Sequence, residues 1–271
     1  MTPLYQQRFG GIGRLYGALA LQTFAQAHVC IIGIGGVGTW AAEALARSGI
    51  GQLTLIDLDD ICTTNSNRQI HALTSTIGQS KVAVMAARIK AINPDCQVNE
   101  IEEFIDLDNL STLVRTDWDY VVDCIDAVKP KAALIAYCKR QKIKLVTVGG
   151  AGGQLDPTRV QVADLSKTYQ DPLAAKVRNL LRRDHHFSKS PKRKFGVECV
   201  FSDEPLRYPS ANGQVCLTKA DAEGPKAMDC ATGFGAVTPV TGTFGFVAAS
   251  RVLLKLAEKA ERQARESADS I

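Results

Sequence analysis

The stretch HVCIIGIGGVG, residues 28–38, decides how the rest of the chain is interpreted. Its first half is a short apolar run, which predicts a buried strand over residues 28–34. A GxGxxG pattern follows and leads into a segment with helical periodicity, so the stretch predicts a strand, a tight turn and a helix. Backbone N–H groups at the start of such a helix attract phosphate. The glycines of this predicted phosphate-binding turn are Gly33, Gly35, Gly36 and Gly38.

The alternation of apolar strands and helical segments continues along the chain. Strands are predicted over 52–56, 96–101, 120–124, 144–148, 159–165 and 197–201, and helices over 36–48, 80–92, 107–114, 130–139 and 171–183. This order predicts an α/β fold with a doubly wound, mostly parallel sheet and a Rossmann-like nucleotide site. We expect one domain over residues 1–271, with a basic insertion at about 172–195, a long irregular region at about 202–232, and a C-terminal helix at about 239–265 that packs on the sheet.

Composition limits the class of protein. The chain has 271 residues, 45% of them hydrophobic, and a net charge of +4, which does not identify a partner. None of the eight cysteines forms a CxxC pair, so a zinc site of paired knuckles is not expected. The polar start predicts no secretory leader and a cytoplasmic location. The uncharged stretch 233–250 contains Gly, Thr and Pro, and predicts a buried helix rather than a membrane span.

Charged residues after the second and fourth strands narrow the choice of nucleotide. Asp57 ends the second strand, where it can hold a ribose hydroxyl, and up to this point an NAD-dependent dehydrogenase fits equally well. Arg68 and Lys81 add two positive charges, which a triphosphate needs more than a pyrophosphate does. Asp126, after the fourth strand, is a candidate ligand for Mg²⁺. Together these residues favour ATP.

The same residues resemble the MoeB/ThiF superfamily, the bacterial relatives of ubiquitin-activating enzymes. The motifs that carry the resemblance are GxGGxG at 33–38, DxD at 57–59, NxxRQ at 65–69, GxxK at 78–81 and DCxD at 123–126. The resemblance implies that Asp57 binds the ribose, that Asp59 belongs to the nucleotide site, and that Asn65, Arg68 and Lys81 contact the phosphates. It also implies that Asp126 holds Mg²⁺, which makes Arg68, Lys81 and Asp126 the candidate catalytic residues. Relatives are homodimers in which the partner supplies an arginine, here Arg8 or Arg14.

The second half of the chain resembles the branch of this superfamily that dehydrates tRNA threonylcarbamoyladenosine. The resemblance is carried by the glycine-rich segment 149–153 and by 156–158, 164–168, 171–173 and 200–204. It implies that ATP adenylates the threonyl carboxylate of the modified nucleoside, after which the substrate's own carbamoyl group closes a ring. A monovalent cation, Na⁺ or K⁺, near 151–153 and Asp156 is a further candidate.

A basic cluster lies in residues 176–194, and only Asp184 opposes its positive charge. Such a cluster is typical of a polyanion partner, and with the resemblance it favours tRNA; a solvated basic helix is the alternative. Its members are Lys176, Arg178, Arg182, Arg183, Lys189, Lys192, Arg193 and Lys194. We expect no DNA partner and no membrane association. Cys216 and Cys230 are candidate sulfur acceptors from a sulfur-transfer protein, or ordinary thiols.

Three other functions stay open at this stage. The chain could adenylate the C-terminus of a ubiquitin-like sulfur carrier, although the missing zinc knuckles and the basic cluster argue against that function. A nicotinamide dehydrogenase would bind NADH tightly and be indifferent to Arg68. A non-catalytic RNA-binding protein would tolerate the loss of Lys81 and Asp126.

Overall fold

A seven-stranded sheet forms the centre of the protein. The computed structural model describes residues 1–210, 214–217 and 234–268. The strands are β1 (His28–Ile32), β2 (Gln52–Ile56), β3 (Gln97–Ile101), β4 (Tyr120–Asp123), β5 (Leu145–Val148), β6 (Val160–Asp164) and β7 (Glu198–Ser202). They lie in the order β3-β2-β1-β4-β5-β7-β6, and all pairs are parallel except β6 with β7. The predicted fold class, a doubly wound and mostly parallel α/β sheet, is confirmed.

Helices cover both faces of the sheet. They are α1 (Pro3–Tyr16), α2 (Ala18–Gln26), α3 (Gly38–Arg47), α4 (Lys81–Ile92), α5 (Leu110–Leu113), α6 (Val128–Arg140), α7 (Pro172–Asp184) and α8 (Thr238–Ala268). Side chains alternate along β1, so that Ile31 packs with α2, α3, α4 and α8 while Ile32 packs with α5 and α6. Helices α6 and α7 share a third apolar cluster. Because both faces are covered, the central strands are mostly apolar, and their polar residues Thr54, Asp123 and Thr147 are buried.

The sequence did not predict α1 and α2 at the start of the chain. Thr2 caps α1 by accepting a hydrogen bond from Tyr5 N, and Tyr5 and Phe9 then pack against Leu21 of α2. The sequence pattern did not indicate these helices, because the small apolar cluster that holds them together is recognised only once the two helices are packed. Residues Tyr208–Pro209 and Val215–Cys216 form a short antiparallel pair, β8 and β9, inside the region predicted to be irregular; most of the rest of that region lies outside the described residues.

The last helix, α8, packs on the sheet as the sequence predicted. Among the described residues it is the one helix long and apolar enough, by length and composition, to cross a membrane, but 61% of its apolar window is buried inside the protein. Its buried residues include Val240, Phe244 and Ala248, which pack against α2, α3 and the sheet. The apolar composition of the helix is thus explained by contacts within the chain.

Candidate active site

The glycine turn between β1 and α3 has two positions that admit only glycine. Gly33 has φ of +91°, and a Cβ atom there would lie 2.9 Å from the carbonyl oxygen of Cys124. A Cβ atom on Gly38, the first residue of α3, would lie 1.9 Å from the carbonyl oxygen of Gly33. The turn therefore folds tightly on itself and against the end of β4, and presents the start of α3 to the open end of the sheet.

Asp57 and Lys81 form a buried polar centre beside this turn. Asp57 follows β2 and accepts hydrogen bonds from Ile34 N at 2.6 Å and Asp59 N at 2.9 Å. Lys81 Nζ lies 2.6 Å from Asp59 Oδ2 and 3.8 Å from Asp57 Oδ1. Burial raises the pKa of the Asp57 carboxyl, and the nearby Lys81 charge opposes that rise. Asp57 thus fixes the glycine turn, while Lys81 brings a cation to its edge.

Arg68 extends over the glycine turn from the segment after β2. Its aliphatic carbons pass above Gly36, where a Cβ atom would lie 3.2 Å from Cδ, and its guanidinium donates to Thr64 O at 2.9 Å. Trp40 Nε1 donates to the carbonyl oxygen of Arg68 at 2.9 Å, which anchors the backbone. Asn65, predicted to contact phosphates, is buried, and its Oδ1 accepts from Cys62 N at 3.0 Å.

A cavity of about 830 Å³ opens at the carboxyl ends of the strands. Of the ten site residues predicted from the sequence, eight line it: Gly33, Gly35, Gly36, Asp57, Asp59, Arg68, Lys81 and Asp126. Gly38 and Asn65 do not line the cavity; the first starts α3 and the second supports the turn before Arg68. Gln69 also lines the cavity, and its buried Oε1 has no hydrogen-bond partner in the part of the chain that the structure describes.

Asp126 stands exposed in the cavity wall, on a loop that three buried residues support. Lys131 Nζ lies 3.0 Å from Asp123 Oδ2 and donates to the Ile125 carbonyl oxygen at 2.9 Å. Thr147 Oγ1 donates to Asp123 Oδ2 at 2.6 Å. The sequence drew attention to Asp123 but gave no sign of Lys131 or Thr147, because neither belongs to the motif and both approach it from other elements. The loop that carries Asp126 is therefore fixed from below by a buried ion pair.

The opposite wall of the cavity comes from the second half of the chain. Residues 149–152, Leu173 of α7 and residues 234–236 line it. Asp171, which is almost fully buried, accepts from Gly150 N at 3.0 Å and from Ala174 N at 2.9 Å. Glu204 accepts from Leu155 N and Asp156 N and holds the following turn. The sequence marked the glycines of this wall but assigned no role to Asp171.

The predicted basic cluster divides into two groups. Three of its arginines are engaged within the protein: Arg178 donates to Thr168 Oγ1, Arg182 lies 5.3 Å above the Phe195 ring, and Arg183 pairs with Asp184 at 2.6 Å. The others have no side-chain partner within the described ranges: Lys176, Lys189, Lys192, Arg193 and Lys194. Most of the charge available to an external anion therefore lies after α7, and Lys176 adds to it from the helix itself.

The remaining candidate residues lie away from the cavity. Arg8 donates to Ile92 O at 3.3 Å, whereas Arg14 is exposed on α1, and neither lines the cavity of its own chain. Cys216 is partly buried beside the Tyr208 carbonyl oxygen, and Cys230 lies outside the described residues. No group of three or more His, Cys, Asp or Glu side chains suited to a metal occurs in residues 1–210, 214–217 and 234–268.

The fold and this site define a nucleotide-binding protein of the Rossmann-like class, and comparison with known proteins gives its family. The model of the ThiF family matches residues 11–269. The chain belongs to the ThiF family.

Within the family, the chain is similar over nearly its whole length to the tRNA threonylcarbamoyladenosine dehydratases. It is 61% identical to that enzyme from Escherichia coli over 97% of this chain and 98% of the relative. The crystal structure of the Escherichia coli enzyme in complex with ATP superposes with a TM-score of 0.86 at 55% identity, and covers 97% of this chain and 98% of that one. By contrast, the Escherichia coli molybdopterin-synthase adenylyltransferase is 33% identical over 46% of this chain and 50% of its own length. The branch predicted from the second half of the sequence is confirmed.

Proposed function

We propose that this chain catalyses the ATP-dependent dehydration of threonylcarbamoyladenosine in tRNA by adenylating the threonyl carboxylate. The observation that carries this function is the full-length similarity to enzymes of that name, one of them solved with ATP, combined with the cavity at the glycine turn. The similarity includes both walls of the cavity. A match restricted to the nucleotide-binding half would support adenylation without indicating the acid.

The chemistry needs alignment and charge neutralisation more than a protein nucleophile. A carboxylate oxygen of the threonyl group attacks the α-phosphorus of ATP, and pyrophosphate leaves. The carbamoyl group of the same nucleoside then attacks the activated carbonyl, and AMP departs with the carboxylate oxygen. The net change in the RNA is the loss of one water. Because the attacking group is intramolecular, holding the nucleoside in the reactive conformation supplies much of the rate.

Arg68 and Lys81 are the residues that we propose for the phosphates. Lys81 is buried at the edge of the glycine turn and pairs with Asp59, whose side chain is half exposed, so its ammonium can exchange this carboxylate for a phosphate oxygen. Arg68 brings a planar guanidinium above the same turn. Asp57 and Asp59 belong to the same side of the cavity, whereas Asn65 acts by shaping the segment before Arg68.

Asp126 fits the role of a Mg²⁺ ligand. It lines the cavity, is exposed, and makes no hydrogen bond or ion pair in the described part of the chain. Magnesium is commonly held by one or two carboxylates together with phosphate oxygens and water, so a single free carboxylate facing the triphosphate suits it. Bound there, the ion would supply charge neutralisation for the phosphates.

We propose tRNA as the macromolecular partner, bound through the unpaired lysines after α7, and a cytoplasmic homodimer as the working form. Arg14 is the better candidate for the arginine given to a partner's cavity, because Arg8 already donates to Ile92 O. A sulfur-transfer protein as a further partner stays a proposal.

The proposal of a monovalent cation, Na⁺ or K⁺, near 151–153 is best supported by Gln154. Its Oε1 is buried and has no hydrogen-bond partner among the described residues, whereas the carboxylate of Asp156 already accepts from Thr158 N and Oγ1. The amide oxygen and nearby backbone carbonyls are hard oxygen ligands of the kind such ions prefer.

Mass spectrometry of nucleosides from tRNA tests the function. Threonylcarbamoyladenosine-containing tRNA is incubated with the protein and ATP, and the nucleoside should lose the mass of one water only when both are present. ATP–pyrophosphate exchange with a ubiquitin-like sulfur carrier is run in parallel. Exchange with the carrier and no water loss from the tRNA would replace the proposed function with the alternative.

A further inference from the structure

Asp171 joins α7, which carries part of the basic cluster, to the cavity wall. Its side chain is buried, and its two oxygens accept from different segments: Oδ1 from Ala174 N in the first turn of α7 at 2.9 Å, and Oδ2 from Gly150 N at 3.0 Å. The contact with the wall is tight, because a Cβ atom on Gly149 would lie 1.8 Å from Asp171 Oδ2. One carboxylate therefore fixes the start of α7 against the loop 149–153.

The loop has few other ways to hold its position. Glycine has no side chain to pack, so a loop containing four glycines depends on hydrogen bonds for its shape. Apart from those of Asp171, the described hydrogen bonds of the loop run from Gly149 N to Val200 O at 2.8 Å, from Gln154 Nε2 to Gly150 O at 3.2 Å, from Gly153 N to Gly235 O at 2.7 Å, and from Arg207 N to Gly153 O at 2.8 Å. Among the hydrogen bonds of the described residues, only those of Asp171 connect this loop to α7.

Both segments that Asp171 joins face the cavity, although Asp171 does not. The loop and Leu173 line the wall opposite Arg68 and Lys81, while Val177 and Leu181 seat the rest of α7 on α6. The unpaired lysines follow directly on this helix. A shift of the loop relative to α7 would thus change the distance between a bound nucleotide and an anion bound to the basic residues after α7.

We propose that Asp171 is a positioning residue for the reaction, which holds the loop 149–153 and the first turn of α7 in the arrangement that aligns a tRNA-borne carboxylate with ATP. This inference rests on the proposed function. Asp171 touches neither substrate; it acts through Gly150 and through α7. Its loss should leave the binding of ATP and of tRNA largely intact and should lower turnover, because misplacement of the reacting groups costs rate rather than affinity.

Two substitutions separate the link from the helix cap. Asp171→Ser keeps a good N-cap for α7 but is too short to reach Gly150 N, and Asp171→Asn keeps one acceptor oxygen. Asp164→Ser is the matched control, because Asp164 also caps a turn and also bridges to a distant segment, through Phe195 N and Gly196 N, but lies away from the cavity. Gly149→Ala pushes on the same carboxylate from the loop side and leaves aspartate as the residue that caps α7.

The measurements are kcat for water loss from tRNA, the Kd values for ATP and tRNA, and the Tm. Asp171→Ser should lower kcat about 10- to 100-fold, with Kd values within about threefold of wild type. The kcat of Asp171→Asn should lie between those of wild type and Asp171→Ser. Asp164→Ser should lower Tm without changing kcat. Unchanged kcat in Asp171→Ser, an equal loss in Asp164→Ser, or a loss explained by weaker binding would overturn the positioning role.

Two further results keep the outcome decisive. If Asp171→Ser does not fold, Gly149→Ala tests the positioning role instead. A normal kcat in Gly149→Ala overturns the proposal, and a lower kcat at unchanged Kd supports it. Wild-type protein is measured in the same series. Absence of water loss with wild type overturns the proposed function itself, whereas wild-type activity with undiminished kcat in the variants overturns only the role of Asp171.

Discussion

The cavity has a rim and a floor that are built from different kinds of residue. The rim consists of the five charged residues of the sequence motifs that line the cavity: Asp57, Asp59, Arg68, Lys81 and Asp126. The floor consists of the buried polar residues that support the cavity's backbone from behind: His71, Asp123, Lys131, Thr147 and Asp171. The rim belongs to short motifs after strands, whereas members of the floor are joined by contacts between distant segments. The rim would then carry the chemistry and the floor its geometry. A substitution at an exposed rim residue should change activity alone, whereas one in the floor should change stability and, at Asp171, also turnover.

The largest expected effect is on stability and falls on the floor. Lys131→Met leaves Asp123 buried and unpaired, because its ion pair at 3.0 Å is lost. We expect the free energy of unfolding to fall by about 3–5 kcal/mol, the usual cost of removing one partner of a buried pair. Urea unfolding measures this change.

The control is Lys129→Met on the same helix. Lys129 is exposed, so this substitution should change the free energy of unfolding by less than about 0.5 kcal/mol. The double variant Lys131→Met/Asp123→Asn should be less destabilised than Lys131→Met alone, because no buried charge remains. Equal losses in the single and double variants would contradict the ion pair's role in the floor.

On the rim, Asp126→Asn should affect activity without affecting stability. The side chain is exposed and has no partner in the described segments, so the Tm should not change. We expect water loss from tRNA to slow about 10²- to 10³-fold, as when one charge-stabilising group of an active site is removed. Added Mg²⁺ should restore part of the rate. Asp108→Asn, an equally exposed carboxylate outside the cavity, is the control, and similar slowing in both would argue against a metal role for Asp126.

The same contrast explains how much could be predicted from the sequence. The sheet and the glycine turn follow from local apolar runs and from glycine positions, and Gly33 and Gly38 occupy positions that exclude a side chain. Residues of the rim follow strands directly, so their convergence could be predicted from parallel topology. Lys131 and Asp171 could not be found in this way, because a lysine in a helix and an aspartate before one are ordinary residues until the fold buries them. Asn65 shows the limit within a motif. The motif predicts a contact with the phosphates, which stays a prediction, but it did not indicate the hydrogen bond from Cys62 N to Asn65 Oδ1 that supports the turn.

A third effect is pH-dependent and also belongs to the floor. His71 is buried behind the glycine turn, Nε2 lies 3.2 Å from Ile34 O, and burial lowers its pKa to about 4. The unfolded chain binds a proton near pH 6.5 and the folded protein does not, so stability falls as pH drops from about 6.5 to about 4, by about 3 kcal/mol at most. His71→Gln retains a donor for Ile34 O without titrating. Urea unfolding at several pH values should show that the free energy of unfolding falls less at acid pH for this variant than for wild type. An identical fall in both proteins would exclude His71 as its source.

The smallest effect concerns the basic surface outside both the rim and the floor. Lys192→Ala and Lys194→Ala should each weaken tRNA binding modestly and lower the slope of log Kd against log salt by about 0.7–0.9, the contribution of one phosphate contact. Lys90→Ala removes an exposed lysine from α4, far along the chain from this surface, and should leave the slope unchanged. Arg183→Ala should change the slope less than the lysines do, because Arg183 already pairs with Asp184. Equal changes for Lys90 and Lys192 would show that tRNA is attracted by the overall charge of the protein rather than by the surface after α7.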